Sequence, residues 1–200
     1  MRNPIHVYDN PLVDADTFER IAKDDMYWES LNRTAYTTLL ENVIDHIGAT
    51  NLSSIYEVQA GHGHLIELLQ EVFELYDIAP TLFATELNEK LSASLNNIYG
   101  PLVQQEVNSD VLANLDLVII AESTSTIPHW KKYLDTLVQS LKKGVYVLLM
   151  DSAVSSNYRS YLKTVEEVRL AYEFTYKDAP AYRDRQGRNR LLKARLYQKA

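Results

Sequence analysis

Ile55-Tyr56-Glu57-Val58-Gln59-Ala60-Gly61-His62-Gly63-His64 reads as a buried strand ending beside an acidic residue, a glycine turn, and a helix opening directly out of that turn. Leu65, Leu68, Leu69, Val72, Phe73 and Tyr76 follow at helical spacing, so one face of that helix is core. An open α/β sheet builds a ligand crevice in this way, at the carboxyl end of its first strand.

Downstream, short apolar runs alternate with helical periodicity. Strands are expected at about 54–59, 81–86, 102–107, 116–121 and 144–150, with helices at 64–76, 88–97 and 128–141. In the last of these helices Trp130, Tyr133, Leu134, Leu137, Val138 and Leu141 form one apolar face, and Lys142-Lys143-Gly144 supplies a cationic last turn and a stop. A helix near 155–167 and two extended runs, 172–176 and 191–197, close the chain as an antiparallel hairpin with Gln186-Gly187 between them. Upstream, Asp14 and Asp16 stand as N-caps before Phe18, Ile21 and Ala22, and a longer helix runs from about Glu29 to Ile47 before Gly48.

The alternation predicts an α/β fold: a Rossmann-like three-layer α/β/α sandwich around a mostly parallel seven-stranded sheet, with right-handed crossovers, a C-terminal antiparallel hairpin and a helical N-terminal extension. The chain divides into a helical extension or lid, 1–52, and one globular unit, 53–200.

Composition bounds the function. A chain of 200 residues, 46% hydrophobic, can bury one substantial core. No apolar run approaches the roughly 20 residues of a membrane-spanning helix, and Met1-Arg2-Asn3-Pro4-Ile5-His6 has no apolar signal core, so a cytoplasmic protein without membrane partners is expected. The absence of cysteine excludes disulfides, thiolate-ligated metals and thiolate nucleophiles. The net charge of -7 hides a separation: residues 1–127 carry 5 Lys and Arg against 20 Asp and Glu, and residues 128–200 carry 15 against 7. Such asymmetry steers an anionic ligand towards one face, or is complementary solvated surface within one fold.

Taken together, the element order and Glu57-Val58-Gln59-Ala60-Gly61-His62-Gly63 resemble the first motif of the class I S-adenosylmethionine (SAM)-dependent methyltransferases, and the resemblance extends over about 53–198. It implies SAM as cofactor and a cofactor site at Glu57, Gln59, Ala60, Gly61 and Gly63. Glu86, with Leu87 beside it, matches the acid that binds the ribose hydroxyls. Glu106-Val107-Asn108-Ser109-Asp110 matches the adenine-contacting region, with Ser109 and Asp110 as its polar residues, and Glu122 follows the fourth strand. One position departs from the family: Gln59 stands where its first glycine is most often found. The fold without the chemistry, as a SAM-binding regulator or a scaffold for protein or RNA, therefore stands beside the methyltransferase reading.

Other chemistries leave different marks. A dinucleotide fingerprint begun at Gly61 needs glycine at 66, which is Ile66, and no Gly-Lys-Ser/Thr of a P-loop occurs. The segment Ala121-Glu122-Ser123-Thr124 lacks the Asx-Pro-Pro-aromatic motif of enzymes that methylate nucleobase amino groups. What remains is an oxygen or nitrogen acceptor on a small molecule, protein or RNA, with Glu122 and His129 as candidate general bases beside the crevice. His62-x-His64 is poor metal spacing, and no metal is expected. Met26-Tyr27-Trp28 and Tyr36 form an aromatic lid or pack against the sheet edge. Arg183, Arg185, Arg188 and Arg190 make the loop 183–190 basic, either to contact an anionic partner or RNA or as an ordinary solvated turn.

Overall fold

A computed structural model describes residues 33–100, 103–104, 109–121, 130–151, 167–174, 181–183, 189–191 and 193–200. The apolar runs become strands β1 (Ser54–Val58), β2 (Thr81–Thr85), β3 (Val103–Gln104), β4 (Leu117–Ala121) and β5 (Tyr146–Asp151). Between and before them lie helices α1 (33–47), α2 (His64–Leu75), α3 (Glu89–Tyr99), α4 (Ser109–Leu112) and α5 (Trp130–Ser140). Four further strands follow: β6 (Val168–Phe174), β7 (Ala181–Arg183), β8 (Asn189–Leu191) and β9 (Lys193–Lys199).

The main sheet has the order β3-β2-β1-β4-β5-β9-β6. Its first five strands are parallel, and β9 runs antiparallel between β5 and β6. After β3 the chain returns past β2 and β1 to form β4, so winding reverses between β1 and β4. The carboxyl ends of two neighbouring strands splay apart at such a reversal and leave a crevice. In register, Glu57 pairs with Ala84 on one side and Ile119 on the other, which places it one residue from the end of β1 at that point.

Right-handed crossovers put the helices before the reversal on one face and those after it on the other. One core layer joins Leu39, Leu40, Val43 and Ile44 of α1 and Ile66, Leu69 and Val72 of α2 to Ile55, Leu117 and Ile119 of the sheet. The opposite layer packs Leu134, Leu137 and Val138 of α5 on Tyr56, Val58, Val118, Ile120 and Val147. Helix α1 is thus a full partner in the core, and Tyr36 is buried in the same layer.

At the carboxyl terminus the expected boundaries shift. β6 begins at Val168 rather than 172, and β9 spans Lys193–Lys199. β7 and β8 form a separate two-stranded antiparallel ladder between them, Ala181 opposite Leu191 and Arg183 opposite Asn189. Expectations at 14–22, Met26-Tyr27-Trp28, 155–166 and Gln186-Gly187 lie outside the described residues. No helix among the described residues is long and apolar enough to cross a membrane.

Candidate functional site at the carboxyl ends of β1 and β2

The turn after β1 is built from backbone conformations that side chains resist. Gln59 has φ 59°, Gly61 57° and Gly63 82°, all in the left-handed region. For the two glycines this is free of strain, whereas for Gln59 it costs about 1–2 kcal/mol. Gly63 N–H donates to the Ala60 carbonyl at 2.8 Å and closes the turn, and the Gly63 carbonyl accepts the first helical bond of α2 from Glu67 at 3.0 Å. Gly63 is the N-cap of α2 and offers no side chain to the helix's first amides. Those donors, with the helix's partial positive charge, open towards the carboxyl end of the sheet.

The other wall of the site is the exit of β2. Glu86 is buried, 4% exposed, and both of its oxygens are positioned by backbone. Oε2 accepts Gly61 N–H at 2.8 Å, and Oε1 accepts Asn88 N–H at 2.7 Å. With about four lone-pair sites, the carboxylate keeps acceptor capacity beyond its backbone amides. Burial pushes the Glu86 carboxyl above its ordinary value, opposed by the amides of Asn88, Gly61 and Leu87. Leu87 is an exposed apolar side chain immediately beside this buried carboxylate. Asn88 then caps α3, its Oδ1 accepting Lys90 and Leu91 N–H at 3.1 Å each. Asn88 went unnoticed as a site-forming residue, although an asparagine before a run with Leu91 and Leu95 is a recognisable helix start.

Glu57 is buried, 3% exposed, in the strand that enters the turn. The rings of His62, in the turn, and His64, the first residue of α2, stand 6.2 Å apart. Desolvation lowers the His64 pKa below its ordinary 6.5, with the Arg33 charge acting in the same sense and Glu67 opposing. Arg33 bridges to Glu67 at 3.8 Å and to Glu71, tying α1 to the first turns of α2 beside the glycine turn. Beneath the turn Tyr56 Oη lies 2.8 Å from Thr85 Oγ1 and 2.9 Å from Tyr133 Oη. Burial raises both phenols above their ordinary value, which keeps them protonated. Sequence reading treated Tyr56 and Tyr133 as apolar core and had no signal for Thr85.

The structure therefore brings Glu57, Gln59, Ala60, Gly61, Gly63, Glu86 and Leu87 to one end of the sheet. Ser109 and Asp110 open α4, shortly after β3. Glu122 and His129 lie outside the described residues. A cavity of about 360 Å³ occurs at the opposite end, the amino ends of β4 and β5, lined in part by Asn114, Asp116, Lys142 and Lys143. Its polar groups serve the fold: Asp116 Oδ2 accepts Ser53 and Ser54 N–H at 2.7 and 2.9 Å, and Lys142 Nζ donates to Asn114 Oδ1 at 2.9 Å.

No protein-family model and no curated protein matches the sequence. Solved structures do match the fold. A plantazolicin methyltransferase in complex with a pentazolic desmethylPZN analog and SAH aligns over 98% of this chain and 98% of its own, with a TM-score of 0.69 at 12% identity. A SAM dependent methyltransferase from Aquifex aeolicus aligns over 94% of this chain and 99% of its own, with a TM-score of 0.60 at 14% identity. A mitomycin 7-O-methyltransferase gives 0.65 at 12% identity over 94% of this chain, which spans 58% of that enzyme's length. The strand order with its antiparallel β9, the reversal between β1 and β4, and these alignments establish that the chain has the fold of the class I SAM-dependent methyltransferases.

Proposed function

We propose that the chain is a SAM-dependent methyltransferase acting on an oxygen or nitrogen of a small-molecule or macromolecular acceptor. The observation that carries this reading is Glu86: a buried carboxylate held by backbone amides, Gly61 and Asn88 among them, at the carboxyl ends of β1 and β2, with acceptor capacity left for a further donor. A vicinal diol is the complement of that arrangement, which fits the ribose of SAM. The uncapped amides of α2 suit its carboxylate, Glu57 its amino group, and Leu87 an adenine face, with Ser109 and Asp110 at the adenine edge. SAM supplies an electrophilic methyl group; transfer forms a bond from the acceptor atom to the methyl carbon and breaks the methyl–sulfur bond. The protein's share is alignment of acceptor and methyl group in a water-poor crevice. Glu122 and His129 are the proposed groups that take the acceptor's proton.

The acceptor is left broad because the structural neighbours include enzymes named for mitomycin, plantazolicin and magnesium protoporphyrin IX. The basic segment 183–190, which runs from the end of β7 into β8, is the proposed contact for an anionic acceptor or RNA. Gln59, in place of glycine, favours a second reading in which the site binds SAM without turnover and the protein acts as a regulator or scaffold.

Calorimetry with SAM and its demethylated product SAH tests the first step. Both should bind, and Glu86→Ala should weaken binding about a hundredfold, since two charge-assisted hydrogen bonds are lost. If neither ligand binds the intact protein, the proposal fails. Binding of both with no SAH produced across oxygen and nitrogen acceptors transfers support to the regulator.

A further inference from the structure

Gln59 occupies a left-handed position without being glycine, and three consecutive amides show what holds it. Gln59 N–H donates to Thr85 Oγ1 at 3.4 Å, Ala60 N–H to the Thr85 carbonyl at 2.8 Å, and Gly61 N–H to Glu86 Oε2 at 2.8 Å. The turn is zipped, amide by amide, onto the last residues of β2. The second and third bonds use a backbone carbonyl and the site's acid. The first bond requires a hydroxyl at 85, and it is made to the one residue of the three that is strained.

That hydroxyl is itself fixed. Thr85 Oγ1 has one proton and two lone pairs, so it can accept from Gln59 and still bond Tyr56 Oη at 2.8 Å. Tyr56 Oη in turn meets Tyr133 Oη at 2.9 Å, on the first turn of α5. Tyr56 is 1% exposed, and its neighbours in this core layer, Val58, Val118 and Ile120, are aliphatic. An aliphatic side chain would fill that layer without the desolvation cost of a buried hydroxyl.

We infer that Tyr56, Thr85 and Tyr133 are positioning residues, a buried hydroxyl cluster that keeps Gln59 in the left-handed turn and thereby sets the turn's amides against Glu86. What they position it for rests on the proposed SAM site. The cluster also joins the cofactor turn to α5, the helix that follows the segment carrying Glu122 and His129.

The test is a double-mutant cycle of Thr85→Val and Gln59→Gly, read in two ways in the free protein and its complex: hydrogen exchange of amides 60 and 61, whose own acceptors the substitution at 85 leaves in place, and SAH affinity. With glutamine at 59, Thr85→Val should speed exchange and weaken SAH by about tenfold each, because the left-handed residue loses its restraint. With glycine at 59 the same substitution should change both by less than about twofold, since glycine adopts the turn unaided. Thr85→Ser keeps the hydroxyl and should preserve both readouts. Equal effects of Thr85→Val in the two backgrounds, or none in either, overturn the inference. Should Thr85→Val not fold, Tyr133→Phe run through the same cycle gives smaller changes with the same background dependence, and equal changes there overturn it too. The exchange measurement needs no ligand: a wild-type protein that ignores SAH sinks the methyltransferase reading, while the cluster stands or falls on exchange alone.

Discussion

Gly61 and Gly63 share a left-handed backbone, yet the surroundings of the two differ. A Cβ at Gly61 would meet nothing within 4 Å, whereas at Gly63 it would stand 2.6 Å from Leu95 Cδ2 and 3.1 Å from Tyr99 Cε2 of α3. Gly61→Ala should therefore cost only backbone strain, about 1 kcal/mol, while Gly63→Ala adds overpacking and should cost about 2–4 kcal/mol. Urea denaturation of the two variants checks the order, and Gly61→Ala matching or exceeding Gly63→Ala contradicts it. The alternating glycines were readable in the sequence because turn chemistry is local, and Glu86 was readable because it ends the next strand. Gln59 was read only as a departure from a pattern. Its restraint comes from Thr85, 26 residues away, and from Tyr133, 77 residues from Tyr56, and no local periodicity encodes such contacts. The same holds for the Gly61 amide that seats Glu86 from 25 residues away, whereas the Asn88 amide is local.

Among the elements, those buried on both faces were the easiest to read. β1 and β4 are covered by helices on each side, so their sequences are apolar runs apart from Ser54 and Glu57, and the expected ends agree with the structure to a residue. β6 lies at the sheet edge with β9 as its neighbour; Arg169 to Glu173 are all exposed, and its register slips between Leu170 and Tyr172. An edge strand with a bulge carries no clean alternation, which is why its start was placed four residues late. Helix α1 shows the reverse: a helix from about Glu29 to Ile47 before Gly48 was expected, but a helix stop does not say what the helix covers. Leu39 is fully buried, and Leu39→Ala should destabilise the protein by about 2–5 kcal/mol. SAH affinity measured on the folded fraction should stay unchanged, because Leu39 packs in the core layer and not at the turn. A variant with native stability shows that α1 contributes nothing to the core.

For the molecule as a whole, the separation of charge along the sequence becomes a separation in space. The boundary near residue 128 falls between β4 and β5, so the acidic part supplies β3-β2-β1-β4 and the basic part supplies β5-β9-β6. His64 sits in the acidic half, at the head of α2 beside Glu67, where charge alone would favour its imidazolium. Desolvation outweighs that attraction and depresses its pKa. The sign of the linkage follows. Below the ordinary value of 6.5 the unfolded chain protonates this histidine while the folded protein does not, so its contribution to stability is intact above 6.5 and is lost as pH falls towards the depressed folded value. Glu86 acts in the opposite sense: its raised folded pKa gives stability that is complete below the ordinary carboxylate value of 4.5 and disappears as pH rises through the raised value. Substituting the histidine isolates its share. His64→Asn should lower the stability lost on acidification from pH 8 to pH 5.5, so the stability difference between wild type and variant shifts in the variant's favour across that interval. Urea titrations at both pH values measure the shift, and a difference that stays constant means that His64 protonates alike in the folded and unfolded chains.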